Sequence, residues 1–292
     1  MGYGVAIAYG AATIVNAIAT GKGAAFSLDL KTEAKVELTN EAGIIRGKII
    51  PSTGESTRLI REAVKIVLDY FGVSKKFGAK VETISNIPIA KGLKSSSVAA
   101  NAIILATIAS LGKKLSDRVI LNLGVEAAFK AKTTVTGAFD DACASYFGGI
   151  VITDNIKRKI IKKEKFSEKY KVLIYVPKEK AYTININTKK VRLIAPYVNI
   201  AFEKALNGKY WEALTLNGLL YSSILGYKTG IVFDALDAGA IASGLSGKGP
   251  AVIAVVKHHK FDDVLDTWKK YDGEILVANV NNKKSSILVH DT

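Results

Sequence analysis

The residues best able to do chemistry in this sequence stand in one run, Pro88-Ile-Ala-Lys-Gly-Leu-Lys-Ser-Ser-Ser-Val98. Gly92 permits a sharp backbone turn, and the serines stand at the mouth of a long apolar stretch that reads as a helix to about Leu111. A serine N-cap would satisfy one orphan N–H of that helix, leaving the others to point outward with the positive end of the dipole. A strand, a glycine turn and a helix start together form an anion cradle, and the usual anion is a phosphate. Lys91 and Lys94 add positive charge at the same place. The phosphate loop G-x-x-x-x-G-K-[ST], the dinucleotide pattern G-x-G-x-x-G and the hydrolase elbow G-x-S-x-G are all absent from the chain.

Three further groups have chemical potential. Adjacent Asp140 and Asp141 lie between Gly137 and small residues, flanked by Phe139 and Tyr146; carboxylates in such company cap a helix, bind metal or take a proton. Glu126 stands on an otherwise apolar stretch, where a surface position or a bound cation would account for it. A second glycine-rich turn, Ser243-Gly-Leu-Ser-Gly-Lys-Gly-Pro250, leads into an apolar strand. Near the start, Asn16 is a lone amide within the small-residue run Gly10 to Gly23, which suits close approach of a ligand or tight packing equally.

The elements that must position these groups follow from the hydrophobic pattern. Strands are expected at Tyr3–Ala8, Ala24–Leu30, Lys35–Thr39, Ile44–Ile50 and Val81–Ile87, with a helix capped by Ser56 or Thr57 and stopped by Gly72. Ser116 opens another helix to about Lys130, and Ile150–Thr153 is a strand. Eight Lys or Arg between Lys157 and Lys171 mark a solvated seam between two domains, 1–160 and 161–292. Beyond it, strands at Lys171–Pro177 and Ile184–Asn187 precede helices at Pro196–Leu206, Tyr210–Leu225 and Phe233–Ile241. A strand at Ala251–Val256, a helix at Phe261–Tyr271 and strands at Glu274–Val280 and Ser285–His290 complete an α+β half of ferredoxin-like character.

Composition narrows the partners. A net charge of +15 over 292 residues favours anionic ligands. The single cysteine, Cys143, rules out an internal disulfide and a cysteine zinc cluster and suits a reducing cytoplasm. The three histidines are C-terminal and share no metal-ligand spacing. No signal peptide is visible. Ser95–Gly112 carries no charge, but its serines, Asn101 and alanines fit a helix buried in a soluble domain rather than a membrane span.

Pro88 to Val98, Gly137 to Gly149 and Ser243 to Pro250, in that order, resemble the motifs of the GHMP kinases. Pro88, Gly92, Leu93, Ser95 and Ser96 match the pattern P-x-x-x-G-L-x-S-S-A, with Ser97 where the family usually has Ala. Thr136-Gly-Ala-Phe-Asp-Asp-Ala-Cys-Ala-Ser-Tyr-Phe-Gly-Gly149 and Gly10-Ala-Ala-Thr-Ile-Val-Asn-Ala17 are most similar to the archaeal-type shikimate kinases. The resemblance implies an α+β GHMP kinase fold, with an N-terminal ribosomal protein S5 domain 2-like domain and a C-terminal ferredoxin-like domain. It also implies transfer of the ATP γ-phosphate to the 3-hydroxyl of shikimate. ATP and Mg²⁺ are the implied cofactors and shikimate the implied partner, with no nucleic acid and no membrane.

On this reading, Pro88, Ile89, Ala90, Lys91, Gly92, Leu93, Lys94, Ser95, Ser96, Ser97 and Val98 form the nucleotide cradle. Ser96 and Glu126 would hold Mg²⁺. In mevalonate-kinase-like members the base precedes the Gly-Gly pair by seven positions, which selects Asp141 first and Asp140 second. Asn16, Gly137, Gly244, Ser246, Gly247 and Gly249 would shape the acceptor pocket. Other expectations are a GHMP kinase acting on homoserine, pantoate or a mevalonate-type acid, or a basic RNA-binding protein, against which the lack of interleaved aromatics argues.

Overall fold

A computed structural model describes residues 2–52, 54–89, 91–134, 137–167, 169–178 and 187–291. The first sheet is built on two long antiparallel strands, β1 (Tyr3–Val15) and β2 (Lys22–Thr39). β3 (Ile45–Ile50), β4 (Gly78–Ser85), β5 (Ile150–Asp154) and β6 (Lys159–Glu164) extend it. Its path runs β11-β1-β2-β4-β3, with β5 on the other end of β2 and β6 on β5; β11 (Ser286–Asp291) is the last strand of the chain.

The strands are longer than the pattern predicts. Gly10–Val15, part of the small-residue run placed between two expected strands, continues β1, and Ala24–Leu30 and Lys35–Thr39 are parts of one strand. Alanine and glycine carry little strand propensity of their own. Close packing is what calls for small residues along β1: a Cβ on Gly4 would stand 2.2 Å from the carbonyl oxygen of Ala106 in the helix lying on the sheet, and one on Gly10 3.0 Å from Leu30 Cβ.

That helix is α2 (Ser95–Ser110), apolar on every side and buried along nearly all its length, as such a pattern requires. It packs on β1 and β2 and is covered by α1 (Arg58–Tyr70), α3 (Asp117–Lys130) and α4 (Phe139–Phe147). α1 buries Leu59, Ile60, Ala63, Val64, Val67 and Leu68 along one face. Among the described residues no helix is long and apolar enough to cross a membrane.

The second sheet has the order β10-β7-β9-β8: β7 (Lys171–Pro177), β8 (Ala242–Leu245), β9 (Val252–Val256) and β10 (Gly273–Asn279). With it pack α7 (Tyr210–Leu225), α8 (Gly230–Asp237) and α9 (Phe261–Trp268), while α6 (Ala195–Leu206) packs on α7 and reaches β1 and β2; a short α5 (Thr188–Arg192) precedes them. The strand β8 occupies residues 242–245, beyond the helix expected to reach Ile241. The strand expected at Ile184–Asn187 lies outside the described residues except for Asn187, which caps α5.

The expected boundary at 160/161 falls inside β6. The lysine-rich seam contributes an edge strand to the first sheet, where charged side chains discourage pairing with other chains. After the second sheet the chain returns, and β11 pairs with β1.

Candidate active site

The two halves meet at a cleft lined by Asn16, Ala17 and Ile18 after β1, by Gly92 and Lys94–Ser97 at the start of α2, by Ala128, Thr133, Thr134 and Ala138, by Asp140 and Asp141, and by Gly247–Gly249. Two helices begin here, and both do so without a serine cap. Lys94, not a serine, is the N-cap of α2, in the left-handed region at φ 64°; Ala138 begins α4 at φ 49°. No side chain caps either helix. The first-turn N–H groups, which lack intrahelical acceptors, therefore converge with two positive dipole ends on one space. Asn101 sets the helices relative to each other: inside α2, it donates from Nδ2 to the carbonyl oxygen of Ala142 in α4 at 2.9 Å.

The acidic pair divides its work. Asp140 is clamped: Asn155 Nδ2 donates to its Oδ1 at 2.7 Å, and its own N–H donates to Asn155 Oδ1 at 3.1 Å. Thr153 Oγ1 donates to the same Asn155 oxygen at 2.7 Å. Asp141 faces Lys94, whose Nζ lies 3.0 Å from Oδ1. This is an ion pair by distance, in which Oδ1 receives no well-directed hydrogen bond. Burial, then the charge of Asp140, pushes the Asp141 carboxyl up to about 7 against the pull of Lys94 and Lys248. A buried carboxyl poised near neutrality beside a cation is suited to receive a proton.

The glycine turn packs on the cradle. Ser246 Oγ donates to the carbonyl oxygen of Gly92 at 2.9 Å, and Ala251 N donates to that of Lys91 at 3.1 Å. Gly92 has φ +85°, and a Cβ there would sit 2.3 Å from the Ser246 carbonyl oxygen, so both the turn and the contact require glycine. Gly247 N donates to Thr13 Oγ1 at 3.0 Å, and Asn16 Nδ2 donates to the Gly247 carbonyl oxygen at 2.8 Å.

Several predicted site residues have other duties. The ammonium of Lys91 bonds the carbonyl oxygen of Pro177 and does not line the cleft. Leu93 and Val98 are core, Pro88 and Ile89 stand back from the cleft, and Ala90 lies outside the described residues, as does Thr136. Glu126 is paired with Arg158 at 2.6 Å, half-exposed, and is absent from the cleft lining. Gly137 packs against Val125 and Phe129, and Gly244 lies against Gly218 of α7. Ser246 is fully buried, a staple between loop and cradle. Asn16 lines the cleft with its amide committed, since its Oδ1 also accepts from Ile18 N at 2.9 Å.

Asn155, Thr13 and Lys248 were not foreseen as site residues. Lys248, set between two glycines of a recognised turn, carried a legible signal; Asn155 and Thr13 act through pairings only the fold creates.

The description "GHMP kinases N terminal domain" matches residues 58–149, the span that holds α2, α4 and both aspartates. Shikimate kinase of Methanosarcina mazei is 47% identical over 281 residues, covering 96% of this chain and 94% of that protein. The chain belongs to the archaeal-type shikimate kinases of the GHMP superfamily. Shikimate kinase of Methanothermobacter thermautotrophicus, 41% identical over 284 residues, covers 96% of each. Among solved structures, homoserine kinase from Cytophaga hutchinsonii superposes with a TM-score of 0.76 at 18% identity, over 98% of this chain and 97% of that one. Methanococcus jannaschii mevalonate kinase gives 0.76 at 19%, over 94% and 98%. These likenesses establish the GHMP fold, α+β with an S5 domain 2-like half and a ferredoxin-like half.

The cleft fits the groups this superfamily uses. Two helix N-termini, a glycine turn and two lysines suit a polyphosphate. For a hard cation, the oxygen donors of the cleft are the serine hydroxyls and the Asp140–Asp141 pair, with Asp141 Oδ1 short of a directed hydrogen bond. Glu126 does not join them while Arg158 holds it.

Proposed function

We propose that this protein is a shikimate kinase, transferring the γ-phosphate of ATP to the 3-hydroxyl of shikimate. The observation that carries the chemistry is the placing of Asp141 and Lys94 where two helix N-termini meet the glycine turn. Acceptor identity is supported by the near full-length identity to proteins named shikimate kinase.

Phosphoryl transfer depends on positioning and on neutralising charge. N–H groups at the start of α2 bind the triphosphate, and Ser96 would offer a hydroxyl oxygen to a Mg²⁺ ion accompanying it. When bound, that ion supplies charge neutralisation. Asp141, ionised near neutral pH, accepts hydrogen-bond and then proton from the acceptor hydroxyl, and Lys94 holds its carboxylate in place. Asp140, fixed by Asn155, fixes the helix start that aims Asp141. The Gly247–Gly249 turn closes the acceptor side. The half formed by residues 1–160 carries the nucleotide, and the half from 161 supplies that turn. The reaction belongs in the cytoplasm, where ATP is made and where the lone buried Cys143 stays reduced.

A coupled ADP-release assay with shikimate, homoserine, pantoate and mevalonate tests the acceptor. ADP release with shikimate is expected to exceed that with the others by at least about a hundredfold in kcat/KM, the discrimination a site gains by hydrogen-bonding its substrate's own polar groups. Comparable turnover of homoserine or mevalonate would overturn the assignment.

A further inference from the structure

Lys94 and Lys248 are the two cations among the residues lining the cleft. Lys94 has its carboxylate, Asp141, at 3.0 Å. Lys248 forms no ion pair or side-chain hydrogen bond among the described residues, although it is partly buried and carries a charge. Its backbone is held on both sides. Gly247 is tied to Thr13 and Asn16, and Gly249 N donates to the carbonyl oxygen of Ser246 at 2.9 Å. The turn also presses close to Lys94: a Cβ on Gly247 would lie 3.0 Å from Lys94 Nζ, and φ there is +61°. The held turn thus sets a second lysine in the lining of the same cleft, with no ion-paired carboxylate of its own among the described residues. Burial, then the charge of Lys94, lowers the Lys248 ammonium to about 8, a cost that an incoming dianion removes.

We propose that Lys248 binds the γ-phosphoryl group of ATP and neutralises the charge that builds on it during transfer, while Lys94 remains with Asp141. The inference rests on the kinase reading and adds a residue to it. In the transfer, the bond from the γ-phosphorus to the β–γ bridging oxygen breaks and ADP leaves with the electron pair. The acceptor oxygen bonds to that phosphorus and its proton passes to Asp141. Lys248 keeps its own proton throughout, acting as a fixed charge. The turn that supplies it belongs to the second half of the chain, so the halves jointly form the phosphoryl site.

The test compares Lys248→Met and Lys248→Arg with the wild type, each checked for an unchanged circular dichroism spectrum. Without acceptor, calorimetry is expected to show Lys248→Met losing about tenfold or more in affinity for AMP-PNP, the loss of one charge-assisted contact. Affinity for ADP should stay unchanged. With shikimate, kcat is expected to fall about 10²-fold with shikimate KM nearly constant, and Lys248→Arg should recover part of the loss. Unchanged AMP-PNP affinity and unchanged kcat would overturn the proposal. So would a rise in shikimate KM at constant kcat, which would assign Lys248 to the acceptor carboxylate. If Lys248→Met fails to fold, Lys248→Gln carries the same readouts. The nucleotide arm needs no acceptor, so it remains decisive even if shikimate proves the wrong substrate.

Discussion

Replacing Asp141 by Asn should make the protein more stable and nearly inactive. The carboxyl is raised from 3.8 to about 7, chiefly by burial and by the charge of Asp140. Each tenfold change in acidity corresponds to about 1.4 kcal/mol, so the ionised form costs the fold about 4 kcal/mol relative to the neutral acid. The sign follows from linkage: the folded value lies above the unfolded one, so the folded protein binds the proton more tightly. This group's contribution to stability is greatest below pH 3.8, falls as pH rises towards 7, and is level above. Asparagine is neutral throughout and does not share that loss. Urea unfolding at pH 5 and pH 8 is therefore expected to show the variant gaining on the wild type at the higher pH, by up to about 3 kcal/mol. At pH 8 its kcat with shikimate should fall by at least about 10²-fold, the usual scale for loss of a general base. For the wild type, kcat/KM should rise with pH through about 7 as the base ionises. A variant whose stability tracks the wild type at both pH values, or whose kcat stays within about tenfold, would refute the description of Asp141 as a buried, costly base.

Ser96→Ala should raise the KM for Mg²⁺–ATP and lower kcat, in a coupled assay with ATP and Mg²⁺ varied separately. Gly92→Ala forces a side chain into a left-handed turn and against the Ser246 carbonyl oxygen, so thermal unfolding should report a loss of about 2 kcal/mol or more. Asn155→Ala removes three hydrogen bonds around Asp140 and should cost about 2–3 kcal/mol. Its kcat should fall with little change in KM, since Asp140 is then free to turn.

Much of the site was legible because its chemistry is local. Gly92, the serines, the aspartate pair and the second glycine turn announce themselves by residue type and spacing, and helix α1 by its apolar period. What failed depended on partners far along the chain. Lys91 looks like a phosphate ligand until β7 is brought beneath it and Pro177 takes its ammonium. The serines look like caps, but the backbone turns one residue earlier, at Lys94, which leaves them in the lining of the cleft with no capping bond. Glu126 looks free for a metal because Arg158, its partner, is 32 positions away. Gly10–Val15 fails as a strand by propensity alone, since what favours a small residue at Gly10 is Leu30, 20 positions away, whose Cβ would stand 3.0 Å from an added Cβ.

The pairing of β11 with β1 joins Tyr3 to Asp291 and Val5 to Val289. During synthesis, the strand that starts the first sheet must wait for nearly the whole chain to leave the ribosome before one of its edges is covered. Until then that edge is open to other nascent chains, so a ribosome stalled before residue 286 should yield a product prone to aggregation and sensitive to protease.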